Sequence, residues 1–208
     1  MELERAIRAR RMVRSFKDVP IDPGVLTEIL DLARRAPSAG HAATTEFVVL
    51  TGESRSTYWD LTLPPQRREG FTFAALPDAG ALVLVLARPE GYTDRYAEPD
   101  KARTGLGEDL TRWPVPFWWV DAGAVLQNLL LLAVDRGLGA CLFGVFDNED
   151  AVSQAIGIPA DRRIVGAVAM GHPTSDPGKP GRSKGRRRPP IESIIHRESW
   201  TKGDEAPR

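Results

Sequence analysis

The sequence predicts an α+β domain built on one mixed sheet, and three observations carry that expectation. Four short apolar segments read as strands: "EFVVL" (46–50), "ALVLVLA" (81–87), "ACLFGVF" (140–146) and "IVGAVAM" (164–170). Helical patterns fall between them without a strict strand–helix–strand rhythm, which favours a mixed sheet over a doubly wound one. The chain has 208 residues, 42% hydrophobic and 27% charged, enough for one full core and short for two.

The elements follow in order. Residues 1–10 read as a short helix. "IDPGVLTEILDLARRA" is a better marked one: Asp22 is an N-cap residue, Pro23 suits the first helical position, and Val25, Leu26, Ile29, Leu30 and Ala33 share a face. Pro37 ends it, because the residue before a proline is pushed out of the helical region. "ALVLVLA" is apolar at every position, as a central strand is. Residues 51–78 and 88–116 read as a loop-rich insertion with some helix. Residues 120–136 form a long helix closed by Gly137, apolar almost all round, with Asp121, Asn128 and Asp135 as a polar stripe at every seventh position. Such a helix is central to a domain or part of an oligomer interface. A helix from about Glu149 to Ile156 separates the last two strands. Residues 172–190 are a Pro, Gly and basic connector, "IESIIH" is a short helix or strand, and the polar residues from Thr201 read as a disordered tail.

Composition excludes several functions. Formal net charge is zero, so the whole chain exerts no bulk attraction for nucleic acid or membrane. The single cysteine, Cys141, builds neither a disulfide nor a cysteine zinc site within one chain and reads as a buried small residue. "MELERAIRARR" lacks the apolar core of a signal peptide, and the apolar run 129–134 is far short of the ~20 residues that span a bilayer. A cytoplasmic protein is expected.

Familiar catalytic motifs are missing too: no G-x-G-x-x-G, no P-loop and no G-x-S-x-G elbow. His41, His172 and His196 are far apart without metal-type spacing, and each reads as structural; no metal is expected. Two features stand out. "APSAGH" (36–41) is a knot of small residues longer than a turn requires, of the kind used where backbone approaches a ligand. Two basic clusters occupy the ends of the chain, Arg8, Arg10, Arg11 and Arg14, and Lys179, Arg182, Lys184, Arg186, Arg187 and Arg188. Three readings fit them: solvated surface, a nucleic-acid contact weakened by the lack of interleaved aromatics, or convergence on one phosphate.

In order along the chain come "RRMVRSF", "APSAGHAATTEFVVL", "DAGAVLQNLLLLAVDRGLGACLFGVF", "VAMGHP" and "RRRPPIESIIH". This succession closely resembles the nitroreductase family of flavin enzymes, from about Ile7 to His196. The resemblance implies a mainly antiparallel sheet flanked by helices, one FMN-binding domain over residues 1–200 with 201–208 as tail, and an intertwined homodimer with FMN at the subunit interface. It maps the phosphate and one flank of the ring to Arg10, Arg11, Met12 and Arg14. The ribityl and ring edge map to Pro37, Ser38, Ala39, Gly40 and His41, so what approaches the small-residue knot is a flavin. The reactive end of the ring maps to Phe143, Gly144 and Val145, and the returning phosphate contacts to Arg186 and Arg188. The departures are Met12 in place of a serine, His41 where Asn is common, and Ala43-Thr44-Thr45 in place of Q-P-W.

The resemblance implies hydride transfer from NAD(P)H through FMN to a small conjugated acceptor, a nitroaromatic or quinone, by ping-pong turnover. The alternative is a non-catalytic flavin-storage or redox-sensing protein. The flavin carries the chemistry, so no catalytic side chain is expected. The aromatic stretch "RWPVPFWWVD" reads either as packing or, through Trp118 and Trp119, as a substrate wall.

Overall fold

The computed structural model describes residues 1–176, 179–181 and 185–200. Arg182, Lys184 and the tail 201–208 lie outside the described residues. Contacts divide the chain into two compact units, Met1–Gly178 and Lys179–Arg208, so the expected 1–200 domain reaches into the second.

The first unit is built on a four-stranded, wholly antiparallel sheet in the order β1-β2-β4-β3, with β1 Glu46–Leu50, β2 Ala81–Ala87, β3 Gly139–Phe143 and β4 Arg163–Gly171. β2 is buried at every residue, because β1 and β4 flank it and both faces are covered. Alternation along β2 and β4 then divides the core. Val83, Val85, Val168 and Met170 face a layer containing α2 (Pro23–Ala33) and α6 (Phe117–Asp135). Leu82, Leu84, Ala167 and Ala169 face the opposite layer, with Tyr58 and Trp59 of α3 (Gly52–Thr62) and Val152 of α7 (Glu149–Ile156).

α2 starts as its sequence dictates: the Asp22 carboxylate accepts the Val25 amide at 3.0 Å, and Pro23 opens the helix. α6 begins three residues earlier than expected, at Phe117. At 19 residues it is long and apolar enough to cross a bilayer by composition alone, yet its inner face is buried against the sheet and α2. Two positions of its polar stripe face the α2 end, where the Asn128 amide donates to the Ala33 carbonyl at 3.2 Å and Asp121 reaches Ala39, while Asp135 pairs with the amino terminus of Met1. The insertions hold more helix than their composition suggests, with α3, α4 (Pro65–Arg68) and α5 (Glu90–Tyr96). Strand β3 ends at Phe143, not 146, because the chain turns at Gly144 into a left-handed Phe146. In the second unit "IESIIH" contributes a 3₁₀ turn at Ile191–Ser193.

Candidate functional site

A cavity of about 430 Å³ opens on the α3/α7 side of the sheet. Its floor is the end of β3, Cys141 to Val145, and its walls are aromatic: Tyr58 and Trp59 of α3, then Phe71 and Phe73 of the following loop. Trp59 lies 5.7 Å from Phe143 at 31°, and Phe71 meets Phe73 edge-on at 5.9 Å. The volume suits a small planar ligand.

Among the described residues one charge borders this cavity, the Arg14 guanidinium. It is placed by the segment after α1 (Leu3–Ala9), which lies along the outer edge of β3: Met12 bridges Ala140 in parallel, and the Val13 amide donates to the Ala140 carbonyl at 2.9 Å. Arg14 then sits 5.1 Å over the Phe73 ring and donates to the Met12 carbonyl at 3.2 Å. None of the ion pairs among the described residues includes it, which leaves the fork open to an anion or an electron-rich ring edge. Burial pushes the Cys141 thiol up, against a smaller opposing effect of Arg14, so it is inert at neutral pH. The buried indole N–H of Trp59, on the cavity wall, has no hydrogen-bond partner. A flat aromatic group with acceptor edges, such as a flavin, fits this set: stacking walls, one open cation and an unused donor.

The predicted residues do not fall in one place. Arg14, Phe143, Gly144 and Val145 line the cavity together. Arg10 and Arg11 do not; Arg11 folds back to the carbonyls of Arg8 and Arg10 at the end of α1. The turn 37–41 belongs to the other side of the sheet, where Ala36, Ala39 and Ala42 pack on the α2/α6 layer. Pro37 and Ser38 there line a small hollow with Arg34, Thr45 and Asp121. The turn includes a 3₁₀ segment, Ala39–His41, and the Ser38 hydroxyl accepts the Ala43 amide at 3.0 Å. Arg186 and Arg188 are exposed residues of the second unit.

The tryptophan wall is corrected for Trp118. Its ring is buried, edge-on to Tyr92 at 6.0 Å and to Trp113 at 6.1 Å, and spends its surface on the core of its own chain. Trp119 is half-buried beside it, and neither borders the cavity. Sequence reading missed Tyr58, Trp59, Phe71 and Phe73. The signal was the paired aromatics in "TYWD" and "GFTF", hidden by the mixed composition around them.

Fold and site together define a class: an α+β domain offering an aromatic slot and an open guanidinium, with no group of metal-ligating side chains among the described residues. Residues 7–172 match the family model described as the Nitroreductase family, and the chain belongs to the nitroreductase family. It is 30% identical over 216 residues to a 4-nitrobenzoate reductase of Nocardioides sp. (strain LMS-CY), covering 91% of this chain and 87% of that one. A solved structure from Exiguobacterium sibiricum 255-15 in complex with FMN is 22% identical with TM-score 0.71, covering 97% of this chain and 98% of that one. The NADPH:FMN oxidoreductase of Vibrio harveyi, complexed with NAD+, superposes with TM-score 0.68 at 20% identity, covering 97% and 79%.

Proposed function

We propose that the protein is an FMN-dependent oxidoreductase that passes hydride from NAD(P)H to a small conjugated acceptor, a nitroaromatic or quinone. One observation carries it: Arg14 and Phe143–Val145, distant in sequence, border a single aromatic cavity. Bound FMN supplies the two-electron centre at its N5. The chain's residues bind, orient and exclude water. Tyr58, Trp59, Phe71 and Phe73 provide apolar walls. Arg14 supplies positive potential where charge develops in a reduced ring. Backbone at Phe143–Val145 would meet the ring's reactive end, with Trp119 the remaining candidate for the substrate wall. The phosphate roles of Arg10, Arg11, Arg186 and Arg188 rest on the resemblance alone. The 4-nitrobenzoate reductase relative supports a nitroaromatic acceptor.

We further propose a homodimer that completes the site. The cavity and the 37–41 turn lie on opposite faces of one sheet, so one chain does not bring both to the same ring. A second copy does, and α6 offers it an exposed stripe with Val120, Gly123 and Gln127.

The test is the visible spectrum of the purified protein before and after anaerobic NADPH. Flavin bands that bleach and return with acceptor support the reading. Steady-state lines should be parallel, since donor and acceptor take turns in one slot. Bands that neither nicotinamide bleaches would point to storage or sensing; no bands, and no uptake of added FMN, would remove the flavin altogether.

A further inference from the structure

Asp121 is a charged side chain buried in the core, 7% exposed, and no step above uses it. It stands on the inner side of α6, and one of its oxygens, Oδ2, takes two donors. The Ala39 amide of the turn donates to it at 2.8 Å and the Tyr92 hydroxyl of α5 at 2.7 Å. Burial, reinforced by the hydrogen bond to Asp121, pushes the Tyr92 phenol well above its ordinary value, so it stays a proton donor throughout the working range.

The same turn is gripped from α5 at two more points. The Arg95 Nε donates to the Gly40 carbonyl at 2.8 Å, while Asp100 holds both ends of that guanidinium at 2.8 Å. The Tyr96 ring occupies the space where a Cβ on Gly40 would stand, 2.7 Å away. Between these anchors the backbone is left-handed at Gly40 (φ 62°), His41 (φ 58°) and Ala43 (φ 49°). Two of these residues carry a Cβ, for which this conformation is costly and persists only where surroundings over-determine it. A plain helix-to-strand connection requires neither left-handed alanine nor a buried carboxylate. The turn is nonetheless at the surface, with His41 and Ala43 exposed.

We propose that Asp121 is the positioning residue for the cofactor-binding turn: through Ala39 and Tyr92 it holds residues 37–43 in the shape in which their backbone meets the flavin. This rests on the flavin reading above. Asp121 touches no ligand and acts through the turn. Replacing it by Asn leaves one amide oxygen that can meet both donors, but as a neutral acceptor, so two charge-assisted hydrogen bonds become two weaker neutral ones.

The test compares full-length wild type, Asp121→Asn and Tyr92→Phe by three measurements: hydrogen exchange of peptides spanning residues 36–45 without FMN, fluorescence titration with FMN, and the visible bands of the bound flavin. We expect Asp121→Asn to speed exchange in the turn while β2 and β4 stay protected. It should raise the FMN dissociation constant by about tenfold or more and shift the bands. Tyr92→Phe, which leaves the Ala39 contact in place, should move all three in the same direction by less. Wild-type affinity and spectrum in Asp121→Asn overturn the proposal, as does weakened binding with exchange raised throughout the core. If Asp121→Asn does not fold, an unchanged Tyr92→Phe overturns it. A wild-type chain that takes up no FMN overturns the functional reading and the proposal together, whereas wild-type uptake with indifferent variants overturns the proposal alone.

Discussion

Arg14 shows how a single residue depends on its setting. Its own segment gives it only the Met12 carbonyl; the edge of β3 aims it, and Phe73 shields one face of the guanidinium. Arg14→Ala should weaken FMN binding by about 1.5–3 kcal/mol, the range for hydrogen bonds to charged groups, as read by fluorescence titration. Lys179→Ala, at an exposed position of the second unit, should change it little. Equal losses at both would mean that diffuse positive charge, not the placed fork, holds the cofactor. Gly40→Ala meets two obstacles at once, the Tyr96 ring and a positive φ, and should lower stability by about 1–3 kcal/mol in urea unfolding.

At the scale of elements, α7 is tied to the sheet by its first residue. Glu149 takes Arg163 of β4 through both carboxylate oxygens, at 2.8 and 3.0 Å, and the Ile164 amide at 2.9 Å. The Arg163 hydrogen bonds hold the Glu149 carboxyl below its ordinary value. A group whose folded pKa is depressed adds stability above its unfolded pKa and loses it as pH falls through the folded one. Glu149→Gln should therefore cost about 1 kcal/mol at pH 7, modest because Arg163 is half-exposed. The difference from wild type should shrink below about pH 4.5 and vanish on further acidification. A difference that persists at low pH would assign the effect to helix packing instead. On α6, Gly123 has no atom within 4 Å of where a Cβ would be. In an isolated chain Gly123→Ala should stabilise by up to about 1 kcal/mol through helix propensity. If a second copy packs there, Gly123→Leu should separate the dimer by light scattering and release FMN with it.

The whole molecule poses the question of whether two faces of one sheet serve one ligand. A mixed dimer answers it. One copy carries Arg14→Ala, the other a turn disrupted by Gly40→Ala. If each site joins the cavity of one chain to the turn of the other, such a dimer has one wholly intact site and one doubly damaged site. Flavin content of purified mixed dimers should then be about half of wild type, while either parent homodimer is depleted. Depletion in the mixed dimer equal to the parents would place both groups on one chain's ring and refute the shared site.

The sequence by itself determined the elements and the family. The four strands, α2 with its Asp22 cap, α7 to the residue, and the order of motifs were legible because they rest on local chemistry: apolar period, capping oxygen, Pro and Gly. Motif order also singled out Arg14 and 143–145, which border one cavity. Only the tertiary structure decided which motifs border one cavity. Antiparallel pairing sends alternate side chains of β2 and β4 to opposite layers, and that parity separates the 37–41 turn from the Arg14 cavity. The aromatic walls from 58–73 and the burial of Trp118 escaped the sequence for the same reason. An aromatic side chain reads alike in a core and in a cavity until the elements around it are placed. Asp121 was visible as a polar position on an apolar helix, but its partners lie 82 and 29 residues away, a distance no local pattern spans.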